Sequence, residues 1–111
     1  MSDPVGSVFS ALADPTRRRI VERLVRGELT AGEIAAGFSI SQPAISKHLK
    51  VLEHAGLLTR EIDGRVHRCR ASVDAVRAAA RWLDDQERFW NASLDNLEDF
   101  LTRTSPAKEK R

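Results

Sequence analysis

SQPAISKHLKVLEHAG, residues 41–56, sorts into two faces when wound at about 100° per residue. Ile45, Leu49 and Leu52 share one side, with Ala55 and His48 at its edge. Pro43, Ser46, Lys47, Lys50 and His54 take the other, which carries no acid. Amines on such a face meet phosphates or guanine acceptors, and a glutamine such as Gln42 bonds adenine bidentately. An ordinary solvated face is the competing reading of an isolated basic helix, so the flanking sequence has to decide.

Upstream, Thr30 and Glu33 form a capping-box pair that opens a short helix through Ile34, Ala35 and Phe38, with Gly37 closing it. The next helix has two candidate caps, Ser39 and Ser41. Ser41 is the better one. It puts Pro43 in the first turn, where a missing N–H is tolerated, whereas Ser39 would put it at the fourth helical position. Two short helices joined by three or four residues, the second with a polar outer face, make a helix-turn-helix. Earlier still, Asp14-Pro15 caps and starts a helix through Ile20, Val21, Leu24 and Val25 that stops at Gly27. Before it, Val5, Val8, Phe9 and Leu12 mark a short amphipathic helix. Arg17, Arg18 and Arg19 crowd the first turn of the second helix, against its dipole. They therefore need partners elsewhere, either phosphate or an acid such as Glu22.

Downstream of Gly56 the pattern changes to LLTREI, Asp63-Gly64, RVHRCRA. Asp-Gly tolerates positive φ at both central positions of a two-residue turn. That turn would set Leu58 opposite Cys69 and Arg60 opposite His67, anchoring the hairpin base and placing Arg60, Arg65, His67 and Arg68 nearer its tip. An arginine-tipped hairpin directly after a helix-turn-helix is a wing. From Val73 to about Thr102 the chain reads as one helix of roughly 45 Å at 1.5 Å per residue. Val76, Ala80, Leu83, Trp90, Leu94, Leu97 and Leu101 form its stripe, with Trp82, Phe89 and Phe100 on a second line. So wide an apolar surface asks for a partner on more than one side. A homodimer is expected, packed through Val76, Leu83, Trp90, Leu94, Leu97 and Leu101 of this helix together with Val5 and Phe9 of the first.

Composition is consistent with this. A chain of 111 residues is one domain's worth, without room for a separate catalytic domain. Residues 1–103 read as a single winged helix-turn-helix DNA-binding and dimerisation domain, and residues 104–111 (TSPAKEKR) as a disordered tail. The net charge of +2 is mild, but residues 41–70 hold six Lys/Arg against three acids, so positive charge gathers in the middle of the chain. A single cysteine, Cys69, allows no internal disulfide, and MSDPVGSVF lacks a secretory pattern. No run approaches 18 apolar residues. A cytoplasmic protein with no membrane partner is expected.

Three stretches resemble the ArsR/SmtB type of bacterial winged-helix repressor: ALADPTRRRIVERL at 11–24, SQPAISKHLKVLEHAGLL at 41–58, and the basic DGR at 63–65. The resemblance spans roughly Val5 to Leu101. It implies a mostly α fold with a two-stranded β-wing, dimeric through its terminal helices. It also implies a transcription regulator, usually a repressor, on a palindromic operator, with helix 41–55 in the major groove and the wing near the backbone or minor groove. The chain departs from the family's metal-binding patterns. EIAAGFSI at 33–40 has no cysteine, and residues 73–103 have acids but no histidine. Borderline-soft metals want thiolate or imidazole, so no metal site and no cofactor are expected.

Double-stranded operator DNA is the expected partner, and a small-molecule effector is a further candidate. Gln42, Pro43 and Ser46 are placed to read bases, because recognition helices read with their N-terminal residues. Lys47 and Lys50 would hold phosphates. Ser41 is a cap and a candidate contact, and Arg60, Arg65, His67 and Arg68 are candidate wing contacts. Two alternatives compete: a metal- or redox-responsive repressor of the same family, with Cys69 the thiol, and a winged helix that docks protein. An enzyme is not expected, for the chain has no Gly-rich phosphate loop and no HExxH.

Overall fold

In the computed structural model, which describes residues 3–104, four helices begin where a short polar side chain turns back on the backbone. Asp3, Asp14, Thr30 and Ser41 cap α1 (Pro4–Leu12), α2 (Pro15–Arg26), α3 (Ala31–Ala36) and α4 (Gln42–His54). Each accepts from the backbone N–H three residues on, satisfying a donor the helix cannot use itself. Thr30 and Glu33 close the capping box in both directions, at 3.1 and 2.8 Å. Ser41 caps α4, and Pro43 lies in the first turn.

The end of α4 is equally well defined. Gly56 adopts φ +79, its N–H reaches the Glu53 carbonyl at 3.1 Å, and the Leu57 N–H reaches the Leu52 carbonyl at 2.9 Å. These two bonds are the Schellman pair, and the accompanying apolar contact falls to Leu52 and Leu57, both buried. The stop thus sends Leu57 and Leu58 into the core as the chain enters the hairpin.

The hairpin, β2 (Leu58–Asp63) and β3 (Val66–Ala71), departs from the expected register. Leu58 pairs with Ala71 and Arg60 with Cys69, two residues away from the pairing that an Asp63-Gly64 turn gives. The turn residues are Gly64 and Arg65. Only Gly64 has positive φ, at 64, which is the glycine-first type II′ turn; a turn centred on Asp63-Gly64 would have asked Asp63 for positive φ as well. A slip of two preserves sidedness, so Leu58 and Cys69 are buried as expected. Arg60, however, moves down the hairpin, opposite Cys69 and away from the tip. A third strand also joins. β1 (Leu29–Thr30) pairs antiparallel with β3 through Leu29–Cys69 and Thr30–Arg68, giving the order β1-β3-β2.

Every helix contributes to one buried cluster: Val8 and Ala11, Ile20 and Leu24, Ile34, Ile45 with Leu49 and Leu52, and Ala79 of α5 (Val73–Thr104). The chain divides into two compact units, Met1–Ala79 and Ala80–Arg111, with the boundary inside α5. Within the second unit Leu83, Trp90, Leu94, Leu97 and Leu101 are each at least half exposed. Of the expected tail, Thr104 closes α5 and residues 105–111 lie outside the described residues.

Candidate nucleic-acid interface

Burial of Ile45, Leu49 and Leu52 turns the opposite side of α4 outward. Ser41, Gln42, Pro43, Lys47, Lys50 and His54 are exposed, and Ser46 is half-buried. No acid pairs with Lys47 or Lys50 among the described residues. The single acid of α4, Glu53, lies 3.2 Å from the Arg60 guanidinium. Arg60 thus neutralises the one carboxylate that would weaken the positive strip.

This changes the place of Arg60. Its side chain is 11% exposed and sits on the core-facing side of β2, with Nη1 3.3 Å from His67 Nδ1. Arg65 stays exposed in the turn, and no acid among the described residues pairs with it. Arg68 lies on the other face of the hairpin, 3.8 Å from Glu28, which Arg70 also approaches at 3.7 Å. The structure therefore gathers Gln42, Ser46, Arg60, Arg65 and His67 around one cleft of about 350 Å³ between α3, α4 and the wing. It leaves Arg68 outside that cleft, and Lys50 lines a separate groove between α1 and α4.

The arginines at the start of α2 have an unexpected answer. Arg17 Nε donates to the Ala11 carbonyl at 2.6 Å and Nη2 to Ser10 at 3.3 Å, while Arg18 Nη1 donates to Leu12 at 2.7 Å. Their partners are neither phosphate nor an acid but carbonyls at the end of α1, where a cation is favoured. Arg17 Nη1 also lies 3.2 Å from His48 Nδ1 on α4, so a single guanidinium ties α1, α2 and α4 together. Asp14 completes the group, 4.0 Å from His48. Its carboxyl is held below the usual range by the Arg17 backbone N–H, against a smaller opposing effect of burial and with help from the His48 and Arg17 charges. Charge crowding in Arg17–Arg19 signalled a missing partner; which one it was depended on the α1–α2 corner.

This architecture, a capped helix-turn-helix followed by an arginine-tipped wing, has close counterparts. The helix-turn-helix domain family matches residues 12–61. The transcriptional repressor SdpR of Bacillus subtilis is 35% identical over 71% of this chain and 88% of its own length. An ArsR-like transcriptional regulator from Rhodococcus sp. RHA1 superposes with a TM-score of 0.79 at 33% identity, covering 87% of this chain and 92% of that one. The chain belongs to the ArsR/SmtB family. A further similar structure, the homodimeric winged helix-turn-helix DNA-binding domain Mb0332 of Mycobacterium bovis, described as a possible ArsR-family regulator, matches 77% of this chain and 80% of its own at 27% identity and a TM-score of 0.62.

Among the described residues no group of three His, Cys, Asp or Glu side chains is placed to hold a metal ion. Cys69 is fully buried. Burial pushes its thiol up, the Arg60 charge pulls it down, and Glu53 adds to the rise. A reactive thiolate requires the opposite balance. No helix among the described residues is long and apolar enough to cross a membrane.

Proposed function

We propose that this ArsR/SmtB protein is a sequence-specific transcriptional repressor that grips a palindromic operator as a homodimer. The observation that carries the reading is the acid-free outer strip of α4. Among the described residues no acid pairs with Lys47, Lys50 or, at the wing turn, Arg65, and Glu53 is occupied by Arg60. On this reading Gln42, Pro43 and Ser46 meet base edges in the major groove, since the N-terminal end of a recognition helix enters it. Lys47, Lys50 and Arg65 hold phosphates. Ser41 serves as the cap, Arg60 keeps the strip positive from behind, and His67 and Arg68 take lesser parts. The apolar stripe of α5, with Val5 and Phe9 of α1, supplies the dimer contact, as homodimeric Mb0332 suggests by likeness. Relief from DNA comes from something other than a thiolate-bound metal, given the buried lone cysteine.

The test is a binding titration on DNA recovered by selection from genomic fragments. With about three to five phosphates neutralised per subunit, log K should fall against log salt with a slope near −5 to −9. Lys47→Ala combined with Lys50→Ala should abolish specific binding while the protein stays folded and dimeric. Full affinity in that double variant would refute the assignment of α4. Binding without sequence preference at moderate salt would favour a winged helix that docks protein instead.

A further inference from the structure

The corner where α1, α2 and α4 meet holds one nitrogen atom between two incompatible partners. His48 Nδ1 lies 3.2 Å from Arg17 Nη1 and 4.0 Å from Asp14 Oδ2. A guanidinium only donates, so the bond to Arg17 requires a bare Nδ1 and puts the proton of the neutral ring on Nε2. An ion pair with Asp14 requires the reverse, a proton on Nδ1. At 4.0 Å that second contact is too long for a hydrogen bond. The structure therefore shows the first state, with the acceptor for the second already close by.

The charges around the ring come from α2 alone. α1 has no ionisable side chain; its Ala11 and Ser10 carbonyls are taken by Arg17. From α2 come Arg17 and the capping residue Asp14. On α4 the neighbours three and four residues away, Ala44, Ile45, Val51 and Leu52, are uncharged, and the adjacent cation, Lys47, is on the exposed outer strip. A proton added to Nδ1 thus sets two cations 3.2 Å apart and supplies a donor for Asp14. Asp14 is ready for it, its carboxyl held below the usual range chiefly by the Arg17 backbone N–H. With the His48 side chain only 21% exposed, salt screens these contacts less than it would at the open surface. Imidazole is the side chain whose charge changes between about pH 5 and 8.

We propose that Asp14, Arg17 and His48 form a proton-operated latch on α4. With the ring neutral, Arg17 ties α4 to the carbonyls at the end of α1. With the ring protonated, His48 passes to Asp14, Arg17 lets go, and α4 is held less firmly at that corner, so acidification weakens the grip on DNA. That last step rests on the repressor reading above; the exchange of partners does not.

The exchange is read on the free full chain by NMR, following imidazole nitrogen-15 and arginine Nε–Hε resonances from about pH 8 to about pH 5. His48 should show a bare Nδ1 at the upper end and gain a proton there within the range, with the Arg17 resonance moving in the same step. Asp14→Asn keeps a capping oxygen but removes the charge, and should carry that step to lower pH. A proton already on Nδ1 at the upper end, no step in the range, a step that leaves Arg17 unmoved, or one that Asp14→Asn does not displace would each overturn the latch.

The grip is read by anisotropy titration of a duplex recovered by selection, at constant ionic strength, with His48→Gln beside the unaltered protein. Glutamine offers Arg17 a carbonyl oxygen and does not titrate, while His54 and His67 are common to both proteins. The ratio of affinities should rise in favour of the variant about fivefold or more between about pH 8 and about pH 6. Asp14→Asn should show the same rise, and it serves where the glutamine variant fails to fold by circular dichroism. A ratio that stays constant in folded protein overturns the proposal. If neither protein binds DNA, the repressor reading falls and the NMR step alone decides the latch.

Discussion

Arg60 and Cys69 face each other across the hairpin, and the pair shows how little a side chain's type says about its work. Arg60 looks from sequence like a wing contact, but the structure turns it to the core and sets it against Glu53. Cys69 looks like a small hydrophobe and is one, with a thiol pushed up by burial. In the unfolded chain that thiol ionises near its ordinary value of about 8.5. The folded chain therefore holds the proton more tightly, and the linkage has a definite sign. Below about pH 8.5 both states keep the proton and the group contributes no pH dependence; above it the unfolded state sheds its proton first, and stability falls. Urea unfolding should become easier from about pH 8.5 upward, and Cys69→Ala should remove that part of the slope. In the native protein at neutral pH a thiol reagent should react only as fast as the chain opens. Rapid, complete labelling without unfolding would contradict the burial and revive a redox role.

Helices were legible where caps and periodicity agree. Ser41 could be chosen over Ser39 because Pro43 tolerates only the first turn, and Gly56 marked a stop whose Schellman bonds are present. Strands were legible in sidedness but not in register, since DG allows two turns and only the folded backbone decides that Gly64 comes first. The two-residue strand β1 has no period to read at all. In the candidate site, the outer strip of α4 was legible because a helix face follows from spacing. The cleft and the Arg17–His48 contact join segments that are distant in sequence. That contact links α1 and α2 to α4, and its worth is measurable. In urea unfolding the double-mutant cycle of Arg17→Ala and His48→Ala should give a coupling of about 1 kcal/mol, within the range for residues in contact. Arg17→Lys should not restore stability, because one ammonium cannot reach the carbonyls of Ala11 and Ser10 and the imidazole with the geometry of a fork. Strict additivity would mean that α4 is positioned by core packing alone.

At the scale of the molecule, the proposed dimer can be judged by magnitude. Fully burying a Leu or similar side chain is worth about 1.5–3 kcal/mol. Leu83, Trp90, Leu94, Leu97 and Leu101 are each roughly half exposed, so each holds about 1 kcal/mol not yet gained within its own chain. Two copies contribute about 10 kcal/mol between them, which is comparable to the roughly 4–15 kcal/mol that association itself costs. The α5 stripe alone therefore gives a weak dimer. A tight one requires further apolar surface, for which Val5, Phe9 and Val76 are the candidates. The expected hierarchy follows from this. Leu94→Glu with Leu97→Glu should yield monomers by sedimentation with little change in helical content, since both positions are exposed in the single chain. Val5→Ala with Val76→Ala should leave a dimer of reduced affinity. Operator binding should fall in step with dimer affinity in both variants, because in the proposed complex two half-sites take two α4 helices and a single subunit would hold only one. A glutamate double variant that stays dimeric would remove α5 from the interface, and one that is monomeric but binds the operator as tightly as before would remove the need for a dimer.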